Sequence, residues 1–302
     1  MRTLKIILLI ITLTFISISC SGEKLEQKGS PEYMSEIDQW HQKRVDRLKD
    51  ENGWLTLVGL HWLEEGENTF GSDKNNSIVF PENAPNKIGN ITLKDSVITL
   101  KVKNGVNVTS EGSQVKNIKL KEDITGDPTI LDVGSLKWYI IKRGKRYGIR
   151  LRDTKHPLRD TFDGIERFPV NEDWKVTATV DKYDPPKMIS LPTQIGTIEE
   201  ESSPGAVVFE KDGNTYRIDA VDRGKRLWLI FADETSGEET YGAGRYLYID
   251  APDSTGTTIV DFNLAYNPPC VFTKFATCAF PPKQNFLEIR ITAGEKNWGK
   301  LQ

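Results

Sequence analysis

Hydrophobic and polar positions along this chain follow three rhythms in succession. Ile6 to Ile18 form an unbroken apolar run behind Arg2 and Lys5. Glu32 to Asp50 then place Tyr33, Ile37, Trp40, Val45 and Leu48 at helical spacing, with Lys and Arg gathering toward the C-terminal end, so one helix is predicted there, stopped by Asn52-Gly53. Beyond that point alternation with a period of two takes over. Trp54 to Leu63 and Gly66 to Gly71 read as short strands broken by glycines, and from Ser77 onward the pattern is β. Lys94-Asp95-Ser96 and Arg143-Gly144-Lys145 sit where two hairpins must turn. Phe162 to Pro169 is predicted as a turn segment, followed by a strand from Trp174 to Tyr183 that Asp184-Pro185-Pro186 should close. Further strands are expected over Ser190–Glu199 and Gly205–Glu210, separated by a loop over 200–204. A hairpin over Thr215–Asp233 turns at Asp222-Arg223-Gly224-Lys225. Tyr246–Ile249, Ile259–Asn263 and Phe286–Thr292 complete the strand list. No βαβ alternation, phosphate loop or internal repeat is evident, so the chain reads as mostly β with one N-terminal helix.

The first apolar run is too short for a membrane span, which needs about 20 residues. It ends in Ser17-Ile18-Ser19-Cys20, followed by Ser21-Gly22. Small residues before a lone cysteine resemble a bacterial lipobox, although Ser17 stands where leucine is usual. Residues 1–20 are therefore expected to be a signal peptide, with Cys20 lipidated and holding the chain to a membrane of the cell envelope; an ordinary cleaved signal or an uncleaved anchor are the alternatives. Residues 21–31 read as a polar tether. Removing Arg2 and Lys5 leaves 38 basic residues against 43 acidic, a mildly acidic remainder near −5. No basic stripe with interleaved aromatics suggests nucleic acid.

Cysteine usage then narrows to Cys270 and Cys278, an even number in an exported chain, for which a disulfide is the default and free thiols or a nucleophile the alternatives. Three scattered histidines (His41, His61 and His156) and a Cys-x7-Cys spacing do not match a zinc site, and Asp73-Asn75-Ser77 is too short for a calcium loop, so neither metal nor cofactor is expected.

Two resemblances follow from longer segments. GENTFGSDKNNSIVFP, then ITLKDSVITLKVKNGVNVTSEGSQV, resembles the strand rhythm of a forkhead-associated sandwich over about residues 66–152. That family binds phosphothreonine through an Arg after the glycine, a Ser-Arg pair and a His. Here Ser72 follows Gly71 and Lys87-Ile88-Gly89-Asn90 replaces the pair, so the resemblance implies the sandwich and not the phosphopeptide site. Second, TSGEETYGAGRYL, DFNLAYNPPC, FATCAFPPKQN and AGEK, with GLHWLEEGENTFGSD, APNKIGN, RGKRYGIRLRD and FPVNEDW upstream, resemble the family called DUF1684 over about residues 38–298. Ala279 departs from it where a proline is usual. The family label implies no activity. The expected organisation is an N-terminal helix and forkhead-associated-like sandwich over 32–165, then a second β-rich unit, sandwich- or barrel-like, over 166–302.

Candidate chemistry concentrates in the stretch from Thr240 to Glu295. Arg245, Asp261 and Glu295 are the catalytic candidates: a carboxylate as acid or base, the arginine clamping an anion. Tyr241, Arg245, Asp261, Asn263, Tyr266, Asn267 and Asn285 are the candidate ligand-binding residues of a polar-aromatic cleft around 241–285. The alternative is structural, with Asp261 and Asn263 capping turns and Arg245 paired with Glu295. The leading expectation is a tethered module binding a small molecule or envelope component; a hydrolase-like enzyme is the alternative.

Overall fold

The computed structural model describes residues 25–299. Residues 1–20, expected to be a signal peptide, and with them Cys20, lie outside the described residues. Helix α1 spans Pro31–Lys49: Ser30 accepts the Tyr33 N–H at 3.1 Å, Pro31 occupies the first turn, and Arg47 and Lys49 complement the C-terminal end. Among the described residues no helix is long and apolar enough to cross a membrane.

Eleven strands follow: β1 (Leu57–Trp62), β2 (Gly66–Gly71), β3 (Ile78–Val79), β4 (Gly89–Lys94), β5 (Val97–Val102), β6 (Val108–Ser110), β7 (Ser113–Val115), β8 (Asn117–Leu120), β9 (Leu131–Val133), β10 (Leu136–Arg143) and β11 (Arg146–Asp153). One sheet has the order β1-β11-β10-β9-β6-β7 and the other β3-β2-β4-β5-β8. Alternate residues of both face a single core built on Phe70, Ile88, Ile91, Trp138 and Ile149, all essentially inaccessible. This is a β-sandwich. Its hairpins turn where predicted, with Asp95 and Ser96 both at positive φ between β4 and β5.

The C-terminal unit is a single sheet of β12 (Lys175–Pro192), β13 (Ile198–Lys211), β14 (Asn214–Arg223), β15 (Arg226–Asp233), β16 (Arg245–Asp250) and β17 (Thr257–Asp261), with β18 (Phe286–Leu287) parallel to β15. The end strands β16 and β17 come back into contact, nearly closing a barrel around Trp174, Phe209, Phe231 and Phe262.

Four local expectations are corrected. Asp184-Pro185-Pro186 does not end a strand: β12 runs through it. The register shift against β13 between Lys182 and Lys187 is a bulge, where prolines lacking an N–H are tolerated. Residues 200–204 likewise lie inside β13 and are not a loop. The strand expected at Ile259–Asn263 lies two residues earlier, over Thr257–Asp261, and turns into a 3-10 helix at Phe262, and the one expected at Phe286–Thr292 pairs only over Phe286–Leu287.

Candidate functional site

From Ile291 to Glu295 the chain is largely buried without forming a strand, so its backbone groups need other partners. Ile291 and Ala293 are inaccessible. Arg245, at the start of β16 and wholly buried, donates to both of their carbonyls and to Asp233 Oδ2 at 2.7 Å. Asp233 in turn accepts the Ile291 N–H at 3.2 Å and the Thr235 N–H and hydroxyl. A buried ion pair thus takes the place of a neighbouring strand. Gly244 makes the approach possible: at φ +87° a Cβ would meet the Phe231 carbonyl at 2.5 Å.

Glu295 has a different partner from the one expected. Gly294, at φ +80° against the Ala265 carbonyl, turns the chain so that the Glu295 carboxylate points inward. Its Oε2 accepts the Asn267 N–H at 2.7 Å and its Oε1 lies 3.3 Å from Arg44 Nε of α1. Burial pushes this carboxyl above the usual range, opposed by Arg44 and the Asn267 N–H. Arg44 also donates to the Asn267 carbonyl at 2.8 Å and lies 4.7 Å from the centre of the Tyr266 ring. Arg245 and Glu295 are therefore each paired, but with Asp233 and Arg44.

Asp261 and Asn263 anchor the other end of α1. Asp261 accepts the Tyr33 hydroxyl at 2.9 and 3.0 Å, and the Asn263 N–H and side-chain amide at 3.0 Å each. Asn263 grips both backbone groups of Asn171. Burial and the Asp261 carboxylate raise the Tyr33 pKa, so its phenol stays protonated as the donor. Asn285 joins two strands, accepting the Asp219 N–H at 2.8 Å and donating to the Asp219 and Ile230 carbonyls at 2.9 Å each.

These candidates are not gathered into one pocket. Asp261 lines a shallow cleft of about 440 Å³ beside Tyr33, Trp40 and Tyr248. Tyr241 lines another, of about 850 Å³, with Ala243, Phe272, Lys274, Asn297 and Trp298. Burial raises the Tyr241 pKa, keeping its hydroxyl a neutral donor and acceptor. One wall of this cleft is the loop closed by the Cys270–Cys278 disulfide, whose Cα atoms are 6.2 Å apart. Thr273 ties that loop to the sandwich through the Leu57 carbonyl at 3.1 Å, and Phe272 packs on Phe162 and Trp298.

Sequence reasoning missed Arg44 and Asp233. Arg44 occupies the apolar stripe of α1 between Trp40 and Leu48, and a basic residue at a core position was the available signal. Asp233 ends an otherwise apolar strand and carried no comparable mark. Elsewhere, Asp73 accepts the Asn75 N–H at 2.9 Å in a surface turn, and His61 stacks on Phe80 with centroids 5.8 Å apart.

The architecture defines a mostly β protein in which buried polar pairs tie the N-terminal helix to a nearly closed barrel and a disulfide loop meets the sandwich. Residues 160–296 match the family described as "Protein of unknown function (DUF1684)". The chain is similar to the uncharacterized protein from gene locus rrnAC0354 of Haloarcula marismortui, solved by NMR, at 34% identity over 46% of this chain and 78% of that one, with a TM-score of 0.39. Forkhead-associated domains are also among its structural neighbours. The FhaA domain, crystallised with the intracellular domain of Rv3910, shares 16% identity over 31% of this chain and 97% of that one, with a TM-score of 0.23. No curated protein matches the chain.

Proposed function

We propose that this protein is a lipid-anchored binding module of the cell envelope, taking a small-molecule ligand in the cleft beside Tyr241. The observation that carries this reading is the cleft itself. It is large enough for a small organic ligand, mixes aromatic walls (Tyr241, Phe272, Trp298) with polar ends (Lys274, Asn297), and is held by a disulfide-closed loop. The hydrolase alternative loses support, because Arg245 and Glu295 are inaccessible and engaged by Asp233 and Arg44. Asp261 is mostly buried and holds Tyr33.

Ligand-observed NMR with a fragment set of aromatic acids, amino acids and monosaccharides tests the cleft. Fragments that bind the wild type should be lost on Ala243→Trp, which fills the cleft from its wall. Hits that survive that substitution place binding elsewhere. The anchor is tested separately by Cys20→Ser, which should move the protein out of the membrane fraction.

A further inference from the structure

A third cleft, of about 710 Å³, lies at the seam between the sandwich and the barrel, on Pro269 and Ala276–Ala279 in and beside the same disulfide loop. Its sandwich wall carries Arg143 and Arg150. Arg150 and Arg152 are two residues apart on β11 and so share a face of the sheet; both are 5% exposed. A buried guanidinium ordinarily has a carboxylate partner, because an unpaired buried charge is costly. Among the described residues neither arginine forms an ion pair.

Their surroundings offset this cost only in part. Both guanidinium centres lie 5.5–5.6 Å from the Trp54 ring, a cation–π arrangement. Arg152 further donates to the Gly53 carbonyl and to Thr56 Oγ1. Arg150 has less. It donates to Thr277 Oγ1 at 3.2 Å and reaches the Tyr139 hydroxyl at 3.5 Å, and its Nε–H has no partner. Thr277 Oγ1 also accepts from Arg143 Nε at 3.3 Å, so two guanidinium donors occupy the oxygen and its own proton is left to donate. The buried Trp228 Nε1–H, in the same cleft, is unpartnered too.

Nearby carboxylates are mostly engaged elsewhere. Asp123 holds Arg143 at 2.8 Å, Glu201 is bidentate on Arg223 at 2.8 and 2.9 Å, and Glu200 accepts the Ser190 hydroxyl at 2.6 Å. Glu199 also lines the cleft, and burial raises its pKa.

We propose that this seam is a binding site for the oxyanion of a small singly charged organic acid, held by Arg150 Nε–H, the Thr277 hydroxyl and the Trp228 indole N–H. Donors without acceptors on both sides of the seam, beside a guanidinium with no carboxylate partner, match a carboxylate or a phosphate oxygen. The acidic run Glu199–Glu201 disfavours a second negative charge, which selects a carboxylate over a phosphate dianion. This site is separate from the Tyr241 cleft, and either can fail without the other.

The test follows the Arg150 Nε–H resonance in ¹H–¹⁵N spectra at constant ionic strength, titrating benzoate in one series and inorganic phosphate in another. Benzoate should shift that resonance saturably and bind more tightly than phosphate. Arg150→Lys should weaken benzoate by about tenfold, the loss of one charged hydrogen bond. Trp228→Phe, which keeps an aromatic ring but loses the indole N–H together with the pyrrole half of the bicycle, should weaken it several-fold and carries the test if the arginine variant fails to fold. Tighter binding of phosphate would overturn the single-charge selection. No saturable shift with either anion, or benzoate affinity unchanged in Trp228→Phe, would overturn the site.

Discussion

Replacing Asp261 with alanine separates a structural carboxylate from a catalytic one. Asp261 receives three donors in a buried setting: the Tyr33 hydroxyl, the Asn263 N–H and the Asn263 amide. The Asn263 amide has two other acceptors, Tyr33 Oη and the Asn171 carbonyl, both at 2.9 Å, so it remains satisfied. The Tyr33 hydroxyl and the Asn263 N–H do not. Each buried orphan donor costs about 1–3 kcal/mol, so the substitution should destabilise by about 4 kcal/mol in all. Asp261→Asn keeps an acceptor oxygen and should cost only about 1 kcal/mol. Equilibrium urea unfolding of a soluble form beginning at Ser21 measures both. Tyr33→Phe should show strong coupling to Asp261→Ala in a double-mutant cycle. A loss below about 1 kcal/mol for Asp261→Ala, with no coupling to Tyr33, would refute the reasoning.

Other consequences are as direct. Arg245→Met leaves Asp233 charged in the core and removes the donors to Ile291 and Ala293; urea unfolding should show a loss of about 3–5 kcal/mol. Opening the loop by Cys270→Ser with Cys278→Ser should cost about 2–3 kcal/mol by chain-entropy reasoning, read by thermal unfolding under non-reducing conditions. Burial lowers the His61 pKa below its ordinary 6.5, so an NMR titration should find its midpoint on the acid side of that value. The unfolded chain then binds the proton more readily than the folded one. The stability that follows is present above 6.5 and is lost as pH falls through the folded midpoint, and His61→Gln should flatten that slope.

Legibility in the sequence followed the range of the interactions. The helix, the two turns at Asp95-Ser96 and Arg143-Lys145, and the alternating strands are local patterns, and they appear where periodicity puts them. Proline was a misleading stop at Asp184-Pro185-Pro186, because a bulge removes the ladder bond that proline cannot make. At Glu288–Thr292 alternation suggested a strand, yet the backbone there is satisfied by Arg245 and Asp233, 58 residues from Ile291 in the latter case. Pairings of that reach leave no periodic trace. For the same reason the polar residues of the Thr240–Glu295 stretch were readable as a cluster but not as two separate pairs, Arg245 with Asp233 and Glu295 with Arg44. The seam arginines were hidden in the hairpin segment RGKRYGIRLR, where alternation gives charged residues an outward face. Trp54 lies over both of them, the disulfide loop covers Arg150, and Gly53 and Thr56 hold Arg152.

Amide hydrogen exchange tests the central claim, that the polar residues between Thr240 and Glu295 form a frame and not a reaction centre. The Asn267 N–H, held by Glu295 at 2.7 Å, and the Ile291 N–H, held by Asp233 at 3.2 Å, lie outside every strand. They should nevertheless exchange as slowly as the amides of β15, through global unfolding alone. Exchange of either at the rate of a surface loop would mean that these carboxylates are free to move and would contradict the account.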